Sequence, residues 1–142
     1  MTPDRMEAAP RGPKTILIID DEAKVRGAIA VVLEGAGFRT LEANNGSEAI
    51  HLFAERFREL TAATLDLDMP TTNGRETLAM LSAYAPTLPI VVVTGWPIDD
   101  LVGRTPGTRG VGYVQKPFTP DQLMAELRRM IAESAPPEGS SA

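Results

Sequence analysis

The chain has 142 residues, a formal net charge of −5 and no cysteine. One domain fits that length, since typical domains run to about 100–150 residues, and a second enzyme or DNA-binding domain has no room. The missing thiols exclude disulfides, thiolate nucleophiles and cysteine-type zinc sites, and the fourteen Lys and Arg are scattered without a basic block, which argues against direct nucleic-acid binding.

Residues 1–14 hold three Pro among mixed charges and read as a disordered tail. The start, Met-Thr-Pro-Asp-Arg-Met-Glu, has no apolar signal region. The longest apolar stretch, Ala28 to Leu33, is far short of the ~20 residues that span a bilayer. A soluble, cytoplasmic protein without membrane insertion is therefore expected.

From Thr15 onward, strand-like and helix-like segments alternate five times. Thr15–Ile19 is continuously apolar after its first residue, as in a strand buried on both faces. Ala23–Glu34 follows, with Val25, Ile29, Val32 and Leu33 at helical spacing and Gly35-Ala36-Gly37 as a stop. Next come a strand over Arg39–Glu42, turn chemistry at Asn44-Asn45-Gly46, and a helix around Ser47–Arg58 whose apolar face is read as Ile50, Phe53, Ala54 and Phe57. The third pair is Ala62–Leu67 and a helix from about Arg75 to Ala85, closed by Pro86 and Pro89. Met69 and Met80 read as core filler, and His51, the only histidine, falls on the outward side of its helix.

The fourth strand, Ile90–Thr94, is β-branched throughout. Its helix, Ile98–Arg104, is the weakest signal on the chain, because Gly103, Pro106, Gly107 and Gly110 point to a short or irregular element. Val111–Gln115 is the fifth strand. Lys116-Pro117-Phe118 then leads to a helix with Thr119 as N-cap, Pro120 at N1 and Gln122 in the capping-box position. Leu123, Leu127, Met130 and Ile131 form its apolar stripe. Crossovers of these lengths make the strands parallel and the connections right-handed, giving a three-layer α/β/α sandwich over residues 15–133. The Pro/Gly/Ser/Ala-rich residues 134–142 read as a second tail.

In such a sheet the carboxyl ends of the strands line one crevice. Asp20 and Asp21 follow strand one, Asp66 lies at the end of strand three, Thr94 ends strand four and Lys116 follows strand five. An acid pair, an acid, a hydroxyl and an amine in one crevice suit a divalent cation and a phosphoryl group. Two carboxylates ~4 Å apart repel by about 4 kcal/mol at an effective dielectric near 20, so something positive must offset them. Lys116 is one candidate; Mg²⁺, which favours one or two carboxylates with waters and phosphate oxygens, is another. Taken singly, each acid could merely cap a loop or helix.

Ile-Leu-Ile-Ile-Asp20-Asp21-Glu22, Leu-Asp66-Leu-Asp68-Met69-Pro70 with Gly74, Val-Val-Thr94-Gly95 and Tyr113-Val-Gln-Lys116-Pro117-Phe118 resemble the receiver domain of two-component response regulators, both stand-alone receivers and those of hybrid histidine kinases. The resemblance runs from about Thr15 to Glu133. It implies a flavodoxin-like five-stranded parallel sheet of order 2-1-3-4-5, a strand order also given for a known receiver protein. It implies Asp66 as phosphoacceptor, since the motif's Asp stands three residues before Met-Pro, which selects Asp66 over Asp68. It implies Mg²⁺ held by Asp21, by Asp20 directly or through water, by Asp66, and by the backbone carbonyl of Asp68.

By the same resemblance Lys116 and the metal would neutralise the transferring group, Thr94 would bond a phosphoryl oxygen, and Tyr113 would move into the space its loop vacates, completing a conformational switch. Pro117 would follow a cis peptide. An ordinary turn proline and a half-buried strand aromatic are the plainer readings of Pro117 and Tyr113. Trp96 and the Asp68 side chain could shape access to the phosphoryl group, and Trp96 could equally cover the sheet edge.

The implied partner is a histidine kinase or histidine phosphotransfer protein as donor, with an unidentified downstream protein as target and a phosphorylation-dependent homodimer left open. Such a domain assists its own phosphorylation and dephosphorylation but is not otherwise an enzyme. Two alternatives remain. A pseudo-receiver would keep the fold without using phosphorylation. An enzyme of the haloacid-dehalogenase type would use the Asp66-x-Asp68 spacing as nucleophile and acid/base pair, although there the motif usually lies on the first strand and the metal acids come late.

Overall fold

The computed structural model describes residues 14–69, 74–97 and 111–134. Among these residues five strands and four helices follow one another: β1 (Thr15–Ile19), α1 (Ala23–Gly35), β2 (Arg39–Ala43), α2 (Gly46–Arg56), a 3₁₀ turn (Phe57–Glu59), β3 (Leu60–Asp66), α3 (Gly74–Tyr84), β4 (Ile90–Thr94), β5 (Val111–Gln115) and α4 (Pro120–Ser134). All neighbouring strands pair in parallel, and the order across the sheet is β2-β1-β3-β4-β5. This is the expected 2-1-3-4-5 arrangement.

Burial follows that order. Every residue of β1 and β4, both interior to the sheet, is buried, whereas the edge strands β2 and β5 are partly exposed. Side chains alternate between two apolar layers because successive strand residues point to opposite faces. Ile16, Ile18, Val91 and Val93 meet Ile29 and Leu33 of α1 and Leu123, Leu127 and Met130 of α4. Leu17, Ile19, Leu65 and Val92 meet Ala49 of α2 and Leu78 and Leu81 of α3. Among the described residues two helices cover each face, and the expected three-layer sandwich is what the chain forms.

Helix ends obey local chemistry. At the end of α1, Gly37 adopts φ +97°, a left-handed conformation that costs glycine little. The Gly37 N–H donates to the Glu34 carbonyl and the Phe38 N–H to the Leu33 carbonyl, both at 3.0 Å, which completes a Schellman motif. At the start of α4 the anticipated capping box is present. The Gln122 N–H donates to Thr119 Oγ1 at 3.1 Å, and the Thr119 N–H donates to Gln122 Oε1 at 2.8 Å.

Four expectations need correction. The helix expected over Ser47–Arg58 ends at Arg56 and tightens into the 3₁₀ turn, and β3 starts at Leu60 rather than Ala62. The inward face of α2 is made by Gly46 and Ala49, with Ile50 and Leu52 packed against the same core, while Phe57 is 51% exposed. Small residues win that face because α2 approaches α3 closely: a Cβ on Gly46 would meet Thr77 Oγ1 at 2.2 Å. Met69 is buried as expected, but Met80 is 44% exposed, since Thr77, Leu78 and Leu81 supply the buried side of α3. His51 faces outward beside Glu55. The helix expected over Ile98–Arg104 and both terminal tails lie outside the described residues, apart from Lys14 and Ser134.

Candidate functional site

The sheet brings the predicted residues to one edge. Register pairs Ile19 with Leu65, so Asp20 leaves β1 beside Asp66, the last residue of β3. Thr94 ends β4 next to β5, whose Gln115 it faces. The ladder continues one rung beyond the strands: the Asp20 N–H donates to the Ala43 carbonyl, the Leu67 N–H to that of Val93 and the Lys116 N–H to that of Thr94. Backbone pairing thereby fixes where Asp20 and Lys116 leave the sheet. The Lys116–Pro117 peptide is cis, as the resemblance implied.

Asp20, Asp21 and Asp66 can each offer one carboxylate oxygen such that all three lie within 4.8 Å of one another. Asp20 and Asp66 are buried, at 1% and 5% exposure, so water does little to relieve their repulsion. Asp20 is pushed up to about 6: burial is the largest cause, the charges of Asp66 and Asp21 add to it, and the Glu22 N–H and Lys116 oppose it. The Glu22 N–H reaches Asp20 Oδ1 at 2.9 Å. A buried acid held that far from its ordinary range marks a crevice short of positive charge, and a hard divalent cation with oxygen ligands fits it.

Lys116 supplies part of that charge. Its Nζ lies 3.0 Å from Asp66 Oδ1 and 3.6 Å from Asp68 Oδ2. Burial alone would lower the Lys116 pKa, but the hydrogen bond to Asp66 and the charges of Asp66, Asp68 and Asp20 outweigh it and hold the group above the usual lysine range. Lys116 is therefore an ammonium aimed at Asp66. The Asp66 carboxylate also accepts from the Asp68 N–H at 2.8 Å.

Thr94 is fully buried. Its hydroxyl donates to Asp68 Oδ1 at 2.8 Å and accepts from the Trp96 N–H at 3.1 Å, while the Gly95 N–H donates to Asp68 Oδ2 at 2.7 Å. Within the receiver reading, sequence reasoning gave the Asp68 side chain only a role in access; that it takes both of these donors was missed. The visible signal was a second acid two residues beyond Asp66.

Arg26 was missed as well. From α1 it donates to the Asp20 carbonyl at 2.7 Å and to Glu42 Oε1 at 2.8 Å, tying the acid pair's backbone to the end of β2. Trp96 is 59% exposed beside Thr94. Tyr113 lies mid-strand on the Leu17/Leu65 side of the sheet. Its hydroxyl is buried without a hydrogen-bond partner among the described residues, and burial pushes its pKa up against the opposing charge of Arg75.

The family model for the response regulator receiver domain matches residues 16–128. The chain belongs to that family. It is similar to the phosphate regulon transcriptional regulatory protein PhoB of Pseudomonas aeruginosa, at 36% identity over 125 residues, covering 87% of this chain and 54% of that protein. It is also similar to the sensor kinase CckA of Brucella abortus, at 28% identity, covering 84% of this chain and 13% of that one. A crystal structure of a sensor protein from a Polaromonas species superimposes with a TM-score of 0.77 at 26% identity, covering 89% of this chain and all of that one. The chain thus spans about half of PhoB and a small part of CckA. Receiver domains are regulatory modules of two-component systems that interact with histidine kinases and bind Mg²⁺ at an acidic pocket. The haloacid-dehalogenase alternative falls with this membership. No described helix is long and apolar enough to cross a membrane.

Proposed function

We propose that this chain is a phosphoacceptor. In this reading an Asp66 carboxylate oxygen attacks the phosphorus of a phosphohistidine on a partner kinase or phosphotransfer protein. The new P–O bond forms as the P–N bond breaks, and the bonding pair leaves with the imidazole nitrogen. The observation that carries the proposal is the Lys116 ammonium 3.0 Å from the buried Asp66 carboxylate, with the Asp20 and Asp21 carboxylates beside it.

Each residue has a task. Asp66 is held by Lys116 and the Asp68 N–H, which fix its orientation before the donor arrives. Lys116 then follows the negative charge onto the phosphoryl oxygens. Asp20, Asp21, Asp66 and the Asp68 backbone carbonyl would hold Mg²⁺, which when bound supplies charge neutralisation on the transferring group. Arg26 keeps the Asp20 backbone in place. Thr94 reports the event by turning its hydroxyl to a phosphoryl oxygen, and Tyr113, whose hydroxyl has no hydrogen-bond partner among the described residues, moves in response. The added charge, about −1.5 to −2 at neutral pH if it behaves like other phosphate esters, is read by a downstream protein that binds the two states with different affinity.

The receiver unit is assigned to residues 15–133, with segments 1–14 and 134–142 on either side, although α4 runs one residue further, to Ser134. The reading places it in the cytoplasm, where phosphohistidine donors are made from ATP.

Incubation with acetyl phosphate and Mg²⁺, beside Asp66→Asn, tests the assignment by intact mass. The expected result is a Mg²⁺-dependent gain of one phosphoryl group, stable in acid, labile in base and lost in the variant. A folded protein that gains nothing would make the pseudo-receiver the better description.

A further inference from the structure

The groups placed to receive a phosphoryl oxygen already hold an anion. Asp68 accepts from the Thr94 hydroxyl at 2.8 Å and from the Gly95 N–H at 2.7 Å, and its Oδ2 lies 3.6 Å from Lys116 Nζ. One carboxylate thus engages two donors at the end of β4 and the ammonium at the end of β5. Hydrogen bonds to an ionised acceptor are roughly twice as strong as neutral ones. We infer that the Asp68 carboxylate is a built-in competitor for the phosphoryl group, holding Thr94 and Gly95 until it is displaced.

The inference rests on the phosphoacceptor reading of Asp66 and concerns what that site must overcome. Thr94 cannot donate its single hydroxyl proton to Asp68 and to a phosphoryl oxygen at once. Phosphorylation also brings like charge close to a carboxylate that stands two residues away and already shares Lys116. Asp68 must therefore swing out to solvent before Thr94 turns, and it is partly exposed, with 26% of its side chain accessible, so an exit exists. The resting chain is held in its unswitched arrangement by a contact that phosphorylation breaks, and the affinity for any phosphoryl-like ligand is lowered by the strength of that contact.

A plain structural staple between the two loops predicts the opposite. Removing a staple loosens Thr94 and Gly95 and weakens ligand binding. Removing a competitor frees two donors and strengthens it.

The test titrates beryllium fluoride with Mg²⁺ into the unaltered chain, Asp68→Ala and Asp68→Asn, by calorimetry and by Trp96 fluorescence, with folding checked by circular dichroism. The Gly95 amide proton is followed by NMR before and after addition. Asp68→Ala is expected to bind roughly tenfold more tightly, and the Gly95 signal of the unaltered chain to move on ligand addition from a carboxylate-bonded position that Asp68→Ala lacks from the start. Asp68→Asn, which removes the charge at nearly constant shape, covers the case in which the alanine variant does not fold. Repeating the titration at about 1 M salt, where the screening length is roughly 3 Å, separates displacement of a bonded competitor, which survives, from a general charge effect, which fades. Equal or weaker binding by the variants, or a gain that fades in salt, overturns the inference while leaving Asp66 as acceptor. Failure of all three proteins to bind overturns the phosphoacceptor reading itself and this inference with it.

Discussion

Asp20 carries the clearest electrostatic consequence at the scale of single residues. Its carboxyl titrates at about 6 in the folded chain against 3.8 for the free group. The folded state therefore binds more protons than the unfolded state between those values, and stability falls as pH rises through that window. Above about pH 6 the penalty is complete, on the order of 3 kcal/mol. Asp20→Asn should accordingly be the more stable protein at pH 7 in the presence of EDTA, by a margin that shrinks to nothing below about pH 4, which urea denaturation at several pH values measures. Saturating Mg²⁺ should reduce the difference by stabilising only the unaltered chain. An Asp20→Asn variant less stable at pH 7 without metal would show that the crevice is not short of positive charge. Arg26 acts in the other direction. Arg26→Ala removes donors from the Asp20 carbonyl and from Glu42, and a loss of about 1–3 kcal/mol is expected, together with weaker Mg²⁺ binding because the acid pair loses its anchor. Unchanged Mg²⁺ affinity in a folded variant would confine Arg26 to stability.

Among the elements, legibility tracked the strength of local chemistry. β1, β4 and β5 were bounded correctly because apolar or β-branched runs end abruptly in Asp20, Gly95 and Lys116. α4 was legible down to its capping box, because Thr119, Pro120 and Gln122 each answer a backbone need at a fixed position. α2 was misread because hydrophobicity favoured Phe53 and Phe57, whereas the packing distance to α3 favours Gly46 and Ala49. Nothing in a single sequence states that distance. Instead the two phenyl rings meet each other near the surface, with centroids 6.0 Å apart, and the Arg58 guanidinium lies 5.7 Å from the Phe57 ring centre. Gly74 shows the same limit from the other side: a Cβ there would meet the Leu67 carbonyl oxygen at 2.4 Å. Gly74→Ala should therefore push apart the start of α3 and the residue directly after Asp66, costing about 1–3 kcal/mol in urea denaturation and slowing phosphoryl uptake from acetyl phosphate. Full stability in that variant would show that the loop yields freely.

Across the whole molecule, the reactive groups of the candidate site come from four strand ends, with Arg26 of α1 in support. Order along the chain was enough to anticipate the convergence of Asp20, Asp66, Thr94 and Lys116, because parallel pairing puts every carboxyl end on one edge. It was not enough to show which hydrogen bond each group makes at rest. The engagement of Thr94 with Asp68 rather than with water depends on side-chain geometry across two loops.

That convergence also couples the metal to global stability. Three carboxylates cluster only in the folded chain, so Mg²⁺ held there, as proposed, would bind the folded state alone and stabilise it by mass action, by about 2.7 kcal/mol when present at a hundredfold excess over its dissociation constant. Thermal unfolding of the unaltered chain should shift upward with each increment of Mg²⁺, in proportion to the logarithm of concentration once the site is saturated. Asp21→Ala, which removes the most exposed of the three acids and none of the buried core, should fold and show little of the shift. If Asp21→Ala responds to Mg²⁺ as the unaltered chain does, the ion binds elsewhere on a surface with net charge −5, and the acidic crevice is not its site.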